Sequence, residues 1–338
     1  MATRGRVTMA DVADHVGVSK ATVSLVFRQA PGVGDDTRAA VMAAADELGY
    51  RVNRTAALMT ARRTHLIGAV AQIRNSFHAE LVEQLVRAAD AAGYEIVLGA
   101  VTPTHGENRV VDTLLDFRCE AMLLIGTELP DAQIGELATR VPTVAVGRRV
   151  GGPDVDAVRT DDAQGIAQVV DHLYRLGHRR IVHVSGGSGA IAADRRAGFL
   201  RALRSYDLAH SGSVIESDGF TEAAGMTAGH SLLAGDLPTA VVCANDLLAV
   251  GALDVLRSAG VAVPEQVSIT GYDDSPLARL GNVALTTVSQ RPAEQADRAI
   301  AAVIERLDRD RTERSTATLT PELVVRATTG PAQDSTLS

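Results

Sequence analysis

From residue 65 onward the chain alternates short apolar runs with amphipathic helical stretches, and it does so twice over. The runs are rich in Val, Ile, Leu and Ala and show no polar alternation, which is the pattern of strands buried on both faces of a parallel sheet. Residues 65–71, 95–101, 121–125 and 143–146 form a first series, with helices expected near 79–92, 106–116 and 131–139 between them. Residues 180–185, 213–217, 240–244 and 267–271 form a second, separated by helices around 165–176, 195–205, 221–233 and 247–259. Parallel strands need crossover helices, so the body is expected to be α/β, with two doubly wound parallel sheets in tandem. Two such lobes leave a cleft at the carboxyl ends of their strands, and that cleft is the default ligand site.

The first 50 residues follow a different grammar, with three short helical patterns and no strand between them. Thr8 caps a helix in which Met9, Val12, Ala13 and Val16 share a face, with Asp11 in the capping-box position and Gly17 as the stop. Ser19 caps a second helix with Val23, Val26 and Phe27 inward. After Pro31 and Gly32, Asp35 or Asp36 opens a third, with Val41, Ala45 and Leu48 inward and Gly49 at its end. Three helices with so tight a first turn form a small all-α helix-turn-helix head.

Charge divides the chain at the same place. Residues 1–63 hold nine Lys/Arg against six Asp/Glu, whereas the remainder holds 24 against 35. A small basic head on an acidic body suits a head that meets phosphate and a body that does not. No apolar stretch approaches the 18 residues or so of a membrane span, and the first eight residues carry Arg4 and Arg6 with no apolar core behind them. Neither membrane insertion nor export is expected, and the place of action is the cytoplasm. Cys119 and Cys243 stand alone inside apolar runs and the histidines lack metal spacing, so neither a metal site nor a redox motif is expected.

The run Val-Thr-Met-Ala-Asp-Val-Ala-Asp-His-Val-Gly-Val-Ser-Lys-Ala-Thr-Val-Ser at residues 7–24 closely resembles the opening of the lactose/galactose-repressor (LacI/GalR) family of bacterial transcription regulators. Leu-Ile-Gly at 66–68, Asp-Arg-Arg-Ala-Gly-Phe at 194–199, Ala-Asn-Asp at 244–246, Gly-Tyr-Asp-Asp-Ser-Pro at 271–276 and Leu-Thr-Thr-Val-Ser-Gln at 285–290 follow in family order. The resemblance implies a periplasmic-binding-protein-like body, chain crossovers between the lobes near Asp161 and Gln290, and a homodimer formed mainly by the lobes. It divides the chain into a DNA-binding head (1–52), a hinge helix (53–63), an effector-binding and dimerisation body (64–330) and a tail (331–338). Lobe 1 is expected to take about 64–161 and 291–318, and lobe 2 about 162–290 with the C-terminal strand. The expected activity is that of a repressor, not an enzyme, with no cofactor and with operator affinity set by a sugar or sugar derivative in the cleft. Two reading helices related by a dimer axis call for a palindromic operator. The tail has no apolar heptads of the kind that join dimers into tetramers.

In a helix-turn-helix the second helix lies in the major groove. Its outward residues are Lys20, Ala21, Ser24 and Leu25. Lys20 can donate to guanine or phosphate, Ser24 can bond either base type, and Ala21 can pack on a thymine methyl. Ser19 and Thr22 are placed for phosphate, or simply cap the helix. Leu25 stands where the family commonly has Arg, which removes a guanine contact. Residues 53–63 resemble the hinge helix with Asn53 as its cap; Met59, with Leu58 beside it, stands where the family wedges an apolar side chain into the minor groove. A plain linker is the alternative reading.

A polar ligand needs carboxylate, amide and guanidinium groups fixed at strand ends. By resemblance Arg195, Asn245 and Asp273 hold the effector, with Phe220 as an apolar platform, Gln290 at a crossover, and Gln72, Phe77 and Arg148 from the first lobe. A structural ion pair across the lobes is the other reading of Asp273 and Arg195. Two enzyme readings compete. Gly187, Gly189 and Ala192 imitate a dinucleotide fingerprint, but in the second lobe and without a catalytic partner. Ser188 lacks the closing Gly of a nucleophile elbow. A transport-type sugar-binding protein shares the body but needs an export signal and no DNA head.

Overall fold

The computed structural model describes residues 7–27, 30–50 and 62–333. It divides into two compact units, Met1–Thr64 and His65–Ser338. The head holds α1 (Met9–Val16), α2 (Lys20–Phe27) and α3 (Asp35–Leu48). Thr8 and Asp11 form a reciprocal capping box, and Gly17 ends α1 in the left-handed conformation that allows the tight turn. Ser19 Oγ accepts from Thr22 N at 3.0 Å, starting α2. Val12, Ala13, Val23, Val26, Val41, Ala44 and Ala45 are buried together, so each helix gives one apolar face to a common centre. Gly34 precedes α3 without a side-chain cap; Asp35 and Asp36 instead place negative charge in its first turn.

In the body, β1 (Leu66–Gln72), α4 (Ser76–Ala91), β2 (Glu95–Val101), α5 (Glu107–Asp116), β3 (Ala121–Ile125), α6 (Asp131–Arg140), β4 (Thr143–Val146) and β5 (Asp156–Thr160) build the first lobe. The chain then crosses into α7 (Asp162–Arg175), β6 (Ile181–Val184), α8 (Ala190–Ser205), β7 (Gly212–Ile215), α9 (Glu222–Leu233), β8 (Ala240–Cys243), α10 (Asp246–Ser258) and β9 (Ser268–Thr270). After β10 (Thr287–Ser289), α11 (Pro292–Asp308) and β11 (Thr316–Leu319) return to the first lobe, and β12 (Glu322–Val324) pairs antiparallel with β10. The first sheet has the parallel order β11-β5-β4-β3-β1-β2 and the second the parallel order β7-β6-β8-β9. Each order reverses beside its first strand, between β1 and β3 and between β6 and β8. Such reversals open a crevice at the strand ends where ligands bind.

The β5 strand carries no apolar run, because Asp156 and Arg159 interrupt it, and periodicity therefore misses it. It still lies inside the sheet. Asp156 is fully buried, with Arg306 and Arg311 both donating to its carboxylate and Ser315 N donating at 2.7 Å. A buried charge is tolerated where partners saturate it in this way. The second lobe closes on small residues: a Cβ on Gly251 would stand 2.1 Å from Glu222 O, so α9 and α10 can pack only with glycine there. The crossovers are pinned to each other, since Gln295 Nε2 donates to Gln290 O at 2.8 Å and to Thr160 Oγ1 at 3.1 Å. No helix among the described residues is long and apolar enough to cross a membrane.

Candidate functional site

A cavity of about 50 Å³ lies between the lobes at the carboxyl ends of their strands. From the first lobe it is lined by Gln72 at the end of β1, Phe77 and His78 at the start of α4, and Gly126, Thr127 and Glu128 after β3. From the second come Arg195 on α8, Phe220, Asn245 after β8 and Asp273 after β9, with Gln290 at the crossover. The cavity therefore sits over both sheet reversals. Residues from both lobes line it, which makes it the candidate ligand site.

Arg195 organises the second-lobe wall. It is 3% exposed, donates from Nε to Asp162 at 2.8 Å and from Nη1 to Ala244 O at 2.6 Å, and reaches Asp273 at 3.5 Å. Its guanidinium lies 3.8 Å from the Tyr272 ring centroid and 6.0 Å from that of Phe220. Burial works against its charge, but Asp162 and Asp273 outweigh burial and hold it firmly ionised. Asp273 adopts φ +119°, a conformation costing about 1–3 kcal/mol that persists where surroundings enforce it. Those surroundings are Val288 O, which accepts from Asp273 N at 2.8 Å, and Gln290 Nε2, which donates to Asp273 Oδ1 at 2.6 Å. Burial pushes Asp273 up to about 8; Arg195 pulls the other way, yet it is already shared with Asp162.

Asn245 caps α10, with Oδ1 accepting from Leu248 N at 3.0 Å. Behind it the buried Asp246 accepts from Thr287 Oγ1 at 2.6 Å and Ser275 N at 2.7 Å, while burial raises it to about 6. Phe220 packs against the loop that imitates a dinucleotide fingerprint: a Cβ on Gly186 would meet its ring at 2.1 Å. Glycine there makes room for an aromatic ring rather than for a pyrophosphate.

Seven of the eight expected cleft residues thus face one cavity, and Arg148 does not line it. Its guanidinium donates to Thr127 O at 3.1 Å, Leu129 O at 2.9 Å and Arg149 O at 3.0 Å, and pairs with Asp131. It braces the loop after β3, because backbone carbonyls and a carboxylate use its donors. The ion-pair reading of Arg195 and Asp273 also holds geometrically, but within the second lobe. Periodicity gave no sign of His78, which follows Phe77 on the same helix start; nor of Asp162 and Asp246, although Asp246 follows Asn245 directly.

In the head, Ser19, Lys20 and Ala21 are exposed and Thr22, Ser24 and Leu25 half-buried on α2. Ser19 is the cap of α2, and its hydroxyl also bonds that of Thr22 at 2.9 Å. Sequence reasoning passed over Arg38 of α3, which donates to Val26 O at 3.3 Å and Ala30 O at 3.1 Å and so satisfies carbonyls at the end of α2. Asn53, Leu58 and Met59 lie outside the described residues.

The profile of bacterial regulatory proteins of the lacI family matches residues 8–53, and that of the periplasmic binding protein-like domain matches residues 170–329. The HTH-type transcriptional regulator DegA of Bacillus subtilis (strain 168) is 31% identical, covering 96% of this chain and 99% of its own length. The chain belongs to the LacI family. Like its relatives, this LacI-family member is a DNA-binding transcriptional regulator, and the dehydrogenase and nucleophile readings fall. A crystal structure of the lac repressor dimer bound to operator and the anti-inducer ONPF superposes with a TM-score of 0.82 at 27% identity, over 96% of this chain and 99% of that one. The complex of transcriptional regulator CelR with cellobiose does so with 0.69 at 29% identity, over 96% and 100%.

Proposed function

We propose that the chain is a cytoplasmic repressor that binds a palindromic operator as a homodimer, and that a sugar or sugar derivative between the lobes sets its affinity for DNA. The observation that carries this reading is the convergence of Arg195, Asn245 and Asp273 on one inter-lobe cavity in a chain that begins with a helix-turn-helix. The lac repressor dimer bound to operator supports the assembly, and CelR with cellobiose supports the ligand class. An effector shifts DNA affinity only by binding the DNA-competent arrangement better or worse than the other. In this reading the element shared by lobes and DNA is the pair of hinge segments, residues 53–63, with Asn53 as cap and Leu58 and Met59 at the minor groove. Lys20, Ala21, Ser24 and Leu25 read the major groove, flanked by Ser19 and Thr22.

The test is selection of bound sequences from a random duplex pool, followed by footprinting with and without ligand. A two-fold symmetric footprint is expected. Lys20→Ala should lower operator affinity by about 1–3 kcal/mol, the size of one good base contact. Asp273→Ala should keep operator binding and lose the ligand response, because it removes a carboxylate from the cleft alone. A single asymmetric half-site at saturation, or an unchanged ligand response in Asp273→Ala, sinks the reading.

A further inference from the structure

Beside β5 and β11, at the edge of the first sheet, lies a second cavity, an open groove of about 520 Å³. It shares only Ala190 with the inter-lobe cavity. Its charges do not balance: Arg148, Arg149, Arg159 and Arg314 line it against Asp131 and Asp194. Both aspartates are already taken. Asp131 pairs with Arg148, and Asp194 accepts from Arg149 Nε at 2.9 Å and again from its Nη2. Two guanidiniums are left over.

The fold brings those two together from distant parts of the chain. Arg159 shares a face of β5 with Ala157, and Thr316 of β11, two residues after Arg314, is the register partner of Ala157. Arg159 Nη1 donates to Thr160 O at 3.1 Å, while Arg314 donates to Gly152 O at 3.0 Å and to Val150 O at 2.6 Å. Bonds to neutral carbonyls aim the guanidiniums but cancel no charge. Among the described residues neither has a carboxylate within ion-pair distance. Asp162 feels the charge of Arg159, yet its carboxylate is bonded to Arg195 Nε at 2.8 Å. A guanidinium does not give up its proton, so two positive charges stand in this groove uncompensated. They do so on a body that holds 24 Lys/Arg against 35 Asp/Glu, which makes the groove a local reversal of the surrounding sign.

We infer that this groove is a second ligand site, separate from the inter-lobe cavity, and that Arg159 and Arg314 hold there the phosphate of a small phosphomonoester. The planar fork of arginine matches two phosphate oxygens at once, which an ammonium cannot do. A phosphomonoester carries about −1.5 to −2 charge near pH 7, the amount that two free guanidiniums balance. The groove also has room for more than a bare ion, since small-molecule sites commonly span roughly 300–1,000 Å³. The organic part of the ester fills what a lone phosphate leaves to water.

The experiment titrates the full chain calorimetrically at low salt with glucose 6-phosphate, ribose 5-phosphate and glycerol 3-phosphate, and with inorganic phosphate and sulfate. At least one monoester is expected to bind once per chain, at least tenfold more tightly than either inorganic ion, and to weaken as salt is added. Arg159→Ala and Arg314→Ala should each lower that affinity at least tenfold. Arg159→Lys, which keeps the charge and loses the fork, should regain part of it. Arg314 also holds the carbonyls of Val150 and Gly152, so if Arg314→Ala does not fold, Arg314→Gln keeps an amide donor and removes only the charge. Lys20→Ala and Asp273→Asn should bind the ester as the parent does. No binding by any monoester, or unchanged affinity in the variants of both arginines, overturns the site. Loss in Lys20→Ala instead assigns the phosphate to the head, and loss in Asp273→Asn assigns it to the inter-lobe cavity; either overturns the groove. Sulfate and inorganic phosphate binding as tightly as every ester means an adventitious ion only.

Discussion

Asp273 shows how one residue can both line a candidate ligand cavity and be a source of instability. Its left-handed backbone and its buried carboxylate both oppose folding, and both are held by its hydrogen bonds to Val288 O and Gln290. The pH consequence follows from its raised pKa of about 8. The unfolded carboxyl titrates near its ordinary value of about 4, so between that value and 8 the native state binds the proton more tightly than the unfolded chain does. Stability from this group is full below pH 4 and is lost as pH rises through 8. His78 and His183, both pushed down to about 4 chiefly by burial, act oppositely, favouring the native state as pH rises from 4 to 6.5, and are spent above that. From pH 6.5 to 8 the histidines add nothing further, and the slope comes from buried carboxyls whose values burial raises, Asp273 among them with Asp162. Stability of the ligand-free body should fall there by at most about 1.4 kcal/mol per pH unit for each such group. Chemical denaturation across that window should show the slope in the parent and a shallower one in Asp273→Asn; an unchanged slope in the variant would assign it elsewhere.

At the scale of elements, the loop before α8 and the strand β5 each place polar chemistry where the backbone alone would not hold it. Gly186 lets Phe220 lie against the loop, and Phe220 in turn faces the guanidinium of Arg195. Gly186→Ala should force the ring aside, with an overpacking cost of about 1–3 kcal/mol in the second lobe. Ligand affinity should drop several-fold while the affinity of the head for operator stays as it was, since α1 to α3 form a unit of their own. Calorimetry and footprinting on the same variant check both halves, and unchanged ligand affinity would remove Phe220 from the cleft. In the head, Arg38 plays a comparable part by tying α3 to the end of the reading helix.

Across the whole molecule, the division after Thr64 separates the helix-turn-helix head from the two-lobed body. A fragment of residues 65–338 is expected to melt cooperatively and to bind the ligand with parent affinity, but to lose operator binding altogether. Sedimentation of that fragment should find a dimer, and a monomer would place the assembly interface in the residues removed. Within the body, Arg149 pairs across the lobes with Asp194, at 2.9 Å from Nε, and Arg279 with Glu80, at 3.0 Å. Arg149 and Arg279 are 66% and 43% exposed, so each pair contributes no more than about 1 kcal/mol. Small terms of that size leave closure of the cleft within reach of a ligand's binding energy.

Much of this was legible in one dimension. Thr8, Asp11 and Gly17 mark α1 by interactions that reach only three or four residues along the chain, and the apolar runs of β1, β3, β4 and β8 mark buried strands without help from elsewhere. Because strands in such sheets end at the ligand crevice, Asn245 was readable as a cleft residue from its place after β8, and Asp273 from its place after β9. What the tertiary structure decided depends on partners distant in sequence. The buried Asp156 makes β5 possible only because Arg306 and Arg311 arrive from 150 and 155 residues away. Arg148 and Arg195 look alike as arginines near strand ends. One is turned into the loop after β3 by the carbonyls of Thr127 and Leu129, and the other into the cleft by Asp162 and Ala244. Nor does any local pattern tell that Nδ1 of His78 and Nδ2 of Asn245 are left unpaired. Local sequence sets which hydrogen-bonding groups a residue carries, whereas the packing of two lobes decides which of those groups are used up and which remain for a ligand.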